Sequence, residues 1–588
     1  MKKNSFMQGA VIATFAIIFT KFIGIVYVIP FYKIIGDQGG ALYGYAYTIY
    51  STFLSLSTVG IPLAISKLVS EYNAKGYTHA RERVYKQGKR AITLFAFIIF
   101  LILVIFAKPI AKLIIGDIEG GNSITDITFV IRVIATALLI IPSLSISRGY
   151  LQGNKYITSS SLSQVVEQLF RVIIVVFGSY LMLLATGNVT WAVSVACFGA
   201  TIGGGIAYLY LRHKIVKNKK DFEVVEEKEE EKLITTKDIW KKIIKYAFPF
   251  VMIDVVGNAC QIINMFTVVK ILVNSTGYSV QNAEIVISTL TTWGSKLCMI
   301  ISAVATGLVV SLLPHITDSY VKKDNNTVTK YINQSYELLL YMAIPMTVGL
   351  SFLAKPVWEL FYGNHGLASD VFAVFIFNGL TSALYTVTLT IMQSIDKYKV
   401  VFYSLFIEVV IKLILQYPLM ILAYKIGIGP YCGNIAATIL ATCSTFTISM
   451  LYMVIKMKIS LKQSLITTLK IIIATLIMLG LLILLDKFVP IVVTGRLNAI
   501  FITILYTIVG GLVYFLITYK TIFVKVFGNG ILSKLKRKVQ WCTFFTLYSL
   551  NFDMLLLGKY YNLQLEDTYY LLILRLCFVN YQFVFLID

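Results

Sequence analysis

The chain has 588 residues, of which 57% are hydrophobic and only 14% charged, with a net charge of +23. Its mean hydropathy is +0.79. Soluble domains carry about a quarter charged residues, so a water-soluble fold is excluded by the number of uncharged runs. The Lys and Arg residues form no single patch; they recur in the gaps between apolar runs, which excludes nucleic acid as a partner and fits a membrane protein oriented by basic loops.

Runs of about 20 apolar residues match the length that crosses a bilayer core as a helix. They predict an all-α polytopic membrane protein with about fourteen spans. The first six are Phe6–Tyr32, Ala41–Val69, Ala91–Ile115, Ile124–Leu144, Ser159–Ala185 and Thr190–Leu211. The first is too long for the apolar core of a signal peptide and has no A-x-A site after it, so it reads as a retained helix. The loop Arg212–Lys242 follows, with the charge run Glu226–Lys232, and reads as a solvated linker. Six more spans come next: Ile243–Val269, Ile285–Leu313, Tyr331–Ala354, Ala368–Gln393, Val400–Tyr424 and Gly433–Ile455. Leu465–Leu485 and Ala499–Tyr519 complete the set. The expected division is a six-helix lobe over 1–211, the linker 212–242, a second six-helix lobe over 243–456, two added helices over 457–525, and a basic end with a tail over 526–588. Trp541–Asp588 is aromatic-rich but broken by charges, and is assigned no function.

With the N-terminus inside, the basic segments Lys75–Arg90, Arg212–Lys245 and Lys534–Lys538 all fall on the inner side. This places the chain in a cell membrane with both termini cytoplasmic. An internal repeat supports the two lobes. Ala107–Gly116 resembles Ala354–Gly363, and Gln152–Arg171 resembles Gln393–Lys412, in the same order. Six spans per repeat keep the orientation, giving parallel repeats with a cavity between them.

Charges within a bilayer are costly and mark function. Lys21 and Lys296 lie inside the first and eighth spans. Such a cationic pair suits an anionic head group such as a diphosphate; the competing reading pairs each Lys with a buried carboxylate. Arg132 is a further candidate for the same cavity. Asp254, Asn258 and Gln261 recur at i, i+4 and i+7, one helix face. They could bind a coupling cation through oxygen or bond neighbouring helices. Glu167/Arg171 and Glu408/Lys412 have the spacing of self-neutralising intramembrane ion pairs, with a proton relay as the sharper alternative. Cys197, Cys260, Cys298, Cys432 and Cys443 lie in apolar runs without metal spacing, and the four His are scattered. No Walker, GxSxG or HExxH motif occurs, so neither an enzyme activity nor a bound cofactor or metal is expected, and ATP is not the energy source.

The segments Thr20–Gly24, Gly60–Tyr72 and Ser147–Gly153 resemble the polysaccharide-exporter branch of the multidrug/oligosaccharidyl-lipid/polysaccharide superfamily. Within it the chain is similar to the lipid II flippases of the MurJ type and to the stage V sporulation protein B group, over about residues 1–538. The resemblance implies two lobes in a V, alternating access, and a cationic cavity for a lipid-linked diphosphate. Lys21 matches a family arginine in the first helix. Trp293–Leu297 resembles a segment whose basic residue lies in the cavity, which gives Lys296 that role. Where such flippases carry a second basic residue followed by Asp, this chain has Tyr27-Val28, leaving open another polyprenyl-diphosphate-linked saccharide. Some members bind sodium in the second lobe, and Asp254 is the expected position; coupling to Na+ or H+ is thus implied. The implied partners are the lipid-linked saccharide, the bilayer and cell-wall synthesis proteins. The alternatives are a cation-coupled multidrug exporter of the same superfamily and, more remotely, a membrane glycosyltransferase or polymerase.

Overall fold

The computed structural model describes residues 6–523 apart from 59, 117, 119, 219–221, 223–228 and 364–365. With no water in a bilayer core, each backbone N–H and C=O must be satisfied within the chain, which a helix does segment by segment. The described chain is accordingly helical. The helices are α1 (Phe6–Val26), α2 (Val28–Thr58), α3 (Gly60–Lys75), α4 (Thr78–Ile115), α5 (Ile124–Ala135), α6 (Ile141–Gly153), α7 (Ile157–Ile173), α8 (Ser179–Thr186), α9 (Val189–Lys217) and α10 (Glu229–Lys232). They continue as α11 (Thr236–Thr276), α12 (Val280–Ser288), α13 (Gly294–Val321), α14 (Asn325–Phe352), α15 (Ala354–Phe361), α16 (Gly366–Ser394), α17 (Tyr398–Lys425), α18 (Pro430–Ile455), α19 (Lys462–Phe488) and α20 (Arg496–Thr518).

The sequence pattern of α4 shows how such a helix sits. Ala96, Ile99, Leu103, Ala107 and Ala111 are buried at helical spacing, while Leu94, Phe97, Ile98, Leu101, Ile102 and Ile105 are exposed. The outward face is apolar and bulky and the inward face mixes alanines with Ile99 and Leu103, so both faces are apolar, as expected of a helix against lipid. Polar residues close the helix ends. Ser123 and Asp126 form a capping box at the start of α5, and Thr235 and Asp238 form another at the start of α11, satisfying N–H groups that a helix N-terminus leaves without partners.

Among the described residues twelve helices are long and apolar enough to cross a membrane, or thirteen if the bent pair Phe19–Val26 and Val28–Ser55 is one span. These twelve correspond to the third to fourteenth expected spans; the count of fourteen is not reached. The expected first two spans are cut differently, into α1, α2 and α3, with a 51° bend between the first two. Inside α2 the chain breaks again at Gly36, with φ 60 and ψ −161. A residue without Cβ reaches that conformation at little cost.

Within the first half, α7 packs on α9, α3 on α6, α4 on α5 and α1 on α7; within the second, α17 packs on α18, α13 on α16 and α11 on α17. The halves meet where α11 packs on α2 and α3, α12 on α2, and α1 on α13. The described residues up to Ile517 form one compact unit. The expected basic stop and the tail Trp541–Asp588 lie outside the described residues.

The linker departs from the solvated run expected of it. Phe222 is buried in an apolar cluster with Tyr150 and Tyr156. Arg81 Nη2 donates to the Phe222 carbonyl at 2.8 Å, and Arg83 donates to the carbonyls of Glu231 (3.1 Å) and Ile234 (3.0 Å). The Glu231 carboxylate accepts from the Ala80 N–H in the first turn of α4. Charge alone did not solvate these residues, because α4 offers Arg side chains and unpaired N–H groups where the linker passes.

Candidate functional site

Four stretches of chain enclose a cavity of about 230 Å³. Thr20, Lys21 and Gly24 come from α1, with Tyr27 just after it; Tyr47 comes from α2 and Lys296 and Met299 from α13. Gln168, Arg171 and Val172 come from α7, and Val175 from the turn beyond it. Positions 168, 171, 172 and 175 recur at the spacing of one helix face. Both walls contain a π-helical turn, Ile174–Gly178 beside Arg171 and Thr289–Trp293 before Lys296. Such turns rotate the helix face that follows and are frequent at functional sites.

Among the described residues three cations and no carboxylate line this cavity. The Lys296 ammonium lies 5.8 Å from the centre of the Tyr27 ring. The Arg171 guanidinium lies 5.2 Å from the Tyr47 ring centre, and its Nη2 donates to the Tyr43 hydroxyl at 3.5 Å. Aromatic faces attract cations but do not neutralise them. Among the described residues Lys296 has no hydrogen-bonded or carboxylate partner. Trp293, three residues before Lys296, packs edge-on to Phe31 and Tyr32, while its carbonyl accepts from the Tyr362 hydroxyl at 2.9 Å. This packing depends on Gly40, where a Cβ would stand 2.2 Å from Trp293 Nε1.

Lys21 and Lys296, far apart in sequence, are thus brought together. Arg132 does not join them: it is exposed, and its Nε donates to the Val104 carbonyl at 3.2 Å. Position 132 falls on the outer face of α5, beside the buried Val130 and Ile131. Arg171 takes the third position, and this corrects the expected ion pair. Glu167 pairs with Arg148 at 2.8 Å, leaving Arg171 to turn into the cavity. The i, i+4 spacing hid this because a competing cation 19 residues earlier cannot be seen along one helix.

The second expected pair is also parted. Glu408 contacts Thr445 and Cys260, and Lys412 contacts Asn434 and Thr438. In the polar stripe of α11, Asn258 Nδ2 donates to Asp254 Oδ2 at 3.4 Å, and Gln261 is exposed. Among the described residues no group of three or more His, Cys, Asp or Glu could hold a metal ion.

A second, apolar cavity of about 420 Å³ lies between α13, α14, α19 and α20, lined by Ile300, Met346, Leu350, Met478, Leu482 and Gly510 among others. Met299 faces the cationic cavity and Ile300 the apolar one, so adjacent residues of α13 serve both.

Residues 6–320 match the family described as polysaccharide biosynthesis protein. The lipid II flippase MurJ of Bacillus subtilis (strain 168) is 30% identical over 542 residues, 90% of this chain and 97% of that protein. Among solved structures, a lipid II flippase MurJ in an inward closed conformation aligns with a TM-score of 0.64 at 18% identity, over 88% of this chain and 99% of the other. An inward-facing multidrug resistance MATE family transporter aligns with a TM-score of 0.57 at 12% identity, over 75% of this chain and 96% of the other.

Proposed function

The chain belongs to the polysaccharide biosynthesis protein family, and from that membership we infer that it is a flippase that moves an undecaprenyl-diphosphate-linked peptidoglycan precursor, lipid II or a related lipid-linked oligosaccharide, across the cytoplasmic membrane by alternating access. The observation that carries this reading is the cavity lined, among the described residues, by Lys21, Arg171 and Lys296 and by no carboxylate. A diphosphate supplies negative charge and several acceptor oxygens, which ammonium groups and a guanidinium match as donors. The apolar cavity on the other side of α13 gives a polyprenyl chain a place beside its head group. Polar head and apolar tail are thereby handled by one helix.

The fold is shared with multidrug transporters, whose superfamily gives the second reading. Three cations disfavour a cationic drug in this cavity, because like charges repel. Both termini are taken as cytoplasmic, from the basic loops. The membrane potential then favours outward movement of positive charge, and a cation bound near Asp254 is the alternative drive for resetting. Proteins of cell-wall synthesis are the partners this role would require.

The test is a leaflet-accessibility assay for lipid II in cells depleted of their own flippase and supplied with this protein. Restored exposure of lipid II on the outer leaflet is expected. Exposure of other polyprenyl-linked sugars, with lipid II still confined to the inner leaflet, would change the assigned saccharide. Failure with every lipid-linked saccharide, together with efflux of a cationic drug, would overturn the reading in favour of a drug exporter.

A further inference from the structure

The two halves of the repeat treat the same acid–base pair differently. Gln152 and Gln393 set the offset at 241 residues, which places Glu167 on Glu408 and Arg171 on Lys412. The same offset places Arg148, the cation that neutralises Glu167, on Leu389. Leu389 is buried and offers no charge. Val193 and Cys197 of α9 stand where α18 has Asn434 and Thr438. In the first half the acid is therefore ion-paired and the base is turned into the cavity. In the second half both groups are buried, Glu408 3% and Lys412 0% exposed, and each has only uncharged partners.

Hydrogen-bond accounting assigns their protons. Lys412 Nζ contacts three acceptors: the Asn434 carbonyl (3.1 Å), Asn434 Oδ1 (3.0 Å) and Thr438 Oγ1 (2.6 Å). The Thr438 hydroxyl spends its own hydrogen on the Asn434 carbonyl at 3.0 Å, so it can only accept from the lysine. In that arrangement Lys412 donates three hydrogens and is an ammonium. Around Glu408 the count runs the other way. Thr445 Oγ1 has one hydrogen but lies 3.0 Å from the Ser404 carbonyl and 2.6 Å from Glu408 Oε2. The carbonyl can only accept. If Thr445 donates there, the short contact to Glu408 takes its hydrogen from a carboxylic acid. The other oxygen, Oε1, accepts from the Cys260 thiol at 3.6 Å.

We propose that Glu408 is a proton-binding site, filled in this conformation, and that loss of its proton re-pairs it with Lys412 along α17. The proton leaves the Glu408 carboxyl as a hydronium or on a neighbouring acceptor, and the remaining carboxylate attracts the ammonium one turn away. Glu preceding Lys at i, i+4 is the favourable order for such a pair. Re-pairing withdraws Lys412 from Asn434 and Thr438 and so loosens α17 from α18. The titratable groups around Glu408 are Lys412 on its own helix, Cys260 and Asp254 on α11, and Tyr385 on α16; α18 contributes the Thr445 hydroxyl. The site is separate from the cationic cavity.

Infrared spectroscopy of the full-length protein in lipid nanodiscs tests this without reference to the transported lipid. At neutral pH the wild type should show a buried carboxylic-acid carbonyl band that is absent in Glu408→Gln. The Gln amide can still donate to Thr445, and the melting temperature checks that the variant is folded. In Thr445→Val, which keeps the acid but removes its acceptor, the band should move to higher frequency. On alkaline titration the wild type should lose the band, while Lys412→Met keeps it to higher pH. A Glu408→Gln spectrum identical to wild type, or a band that is indifferent to both Thr445→Val and Lys412→Met, would overturn the proposal.

Discussion

Among the described residues Lys21, Arg171 and Lys296 share one small cavity with no carboxylate. Like charges gathered in one cavity repel, and on the proposed function an anionic head group offsets that repulsion. Lys21→Ala, Lys296→Ala and Arg171→Ala should each abolish complementation of a flippase-depleted strain at normal protein levels, with no fall in melting temperature. Arg132→Ala should grow normally, because that side chain is exposed and bonded to Val104. Full growth of the Lys21 and Lys296 variants would remove the cavity role. The two lysines were legible in the sequence because a charge inside an apolar run is conspicuous whatever its neighbours. Arg171 was not legible, since a partner at i−4 gave it a sufficient explanation. The deciding contact, Arg148 with Glu167, joins α6 to α7 and has no signature along either helix.

At the scale of elements, apolar length located twelve of the spans, because lipid imposes one requirement on each of them. It did not show the break at Tyr27 between α1 and α2 or the kink at Gly36 inside α2. Close helix packing leaves no room for a side chain at one glycine. A Cβ on Gly203 of α9 would lie 2.6 Å from the Glu167 carbonyl and 3.1 Å from the Arg171 amide nitrogen of α7. Gly203→Val should therefore push Arg171 out of place and reduce complementation. The linker was misread because composition cannot reveal a docking partner. With Phe222 buried against Tyr150 and Tyr156, Phe222→Ala should destabilise the protein by about 3 kcal/mol, the range for a buried Phe truncation. Its melting temperature should fall and protease cleavage in the linker should accelerate. Unchanged cleavage would mean that the linker is not held by this contact.

At the scale of the molecule, the halves meet at two ends of unequal strength. At one end Glu284, 5% exposed, accepts from the Asn122 N–H at 2.6 Å and from Asn122 Nδ2 at 2.8 Å. Thr292 adds a bond to the Gly40 carbonyl at 2.8 Å, and Ser288 one to Asp37 at 3.4 Å. A buried carboxylate held by two donors is costly to strip of one partner, by about 3 kcal/mol or more. At the other end Lys242 meets Glu71 at 2.9 Å with side chains 36% and 28% exposed, and Lys67 lies 4.2 Å from the Tyr246 ring centre. An exposed ion pair contributes about 0.2–1 kcal/mol, and a cation over a ring about as much. The polar closure is therefore the weaker at the second end, where Ile239 and Ile243 of α11 also join a buried apolar cluster with Leu68 and Tyr72 of α3, and on the proposed orientation this end faces the cytoplasm. Glu71→Lys should open it further by like-charge repulsion with Lys242. Thiol labelling of a cysteine placed at Gln168, inside the cavity, should then rise several-fold from the cytoplasmic side of inverted vesicles. The exchange Glu71→Lys with Lys242→Glu should return labelling to its original level, which a mere loss of folding would not allow. Labelling that rises instead from the opposite side, or a double variant that stays as reactive as the single, would show that the Glu284 end is the weaker closure.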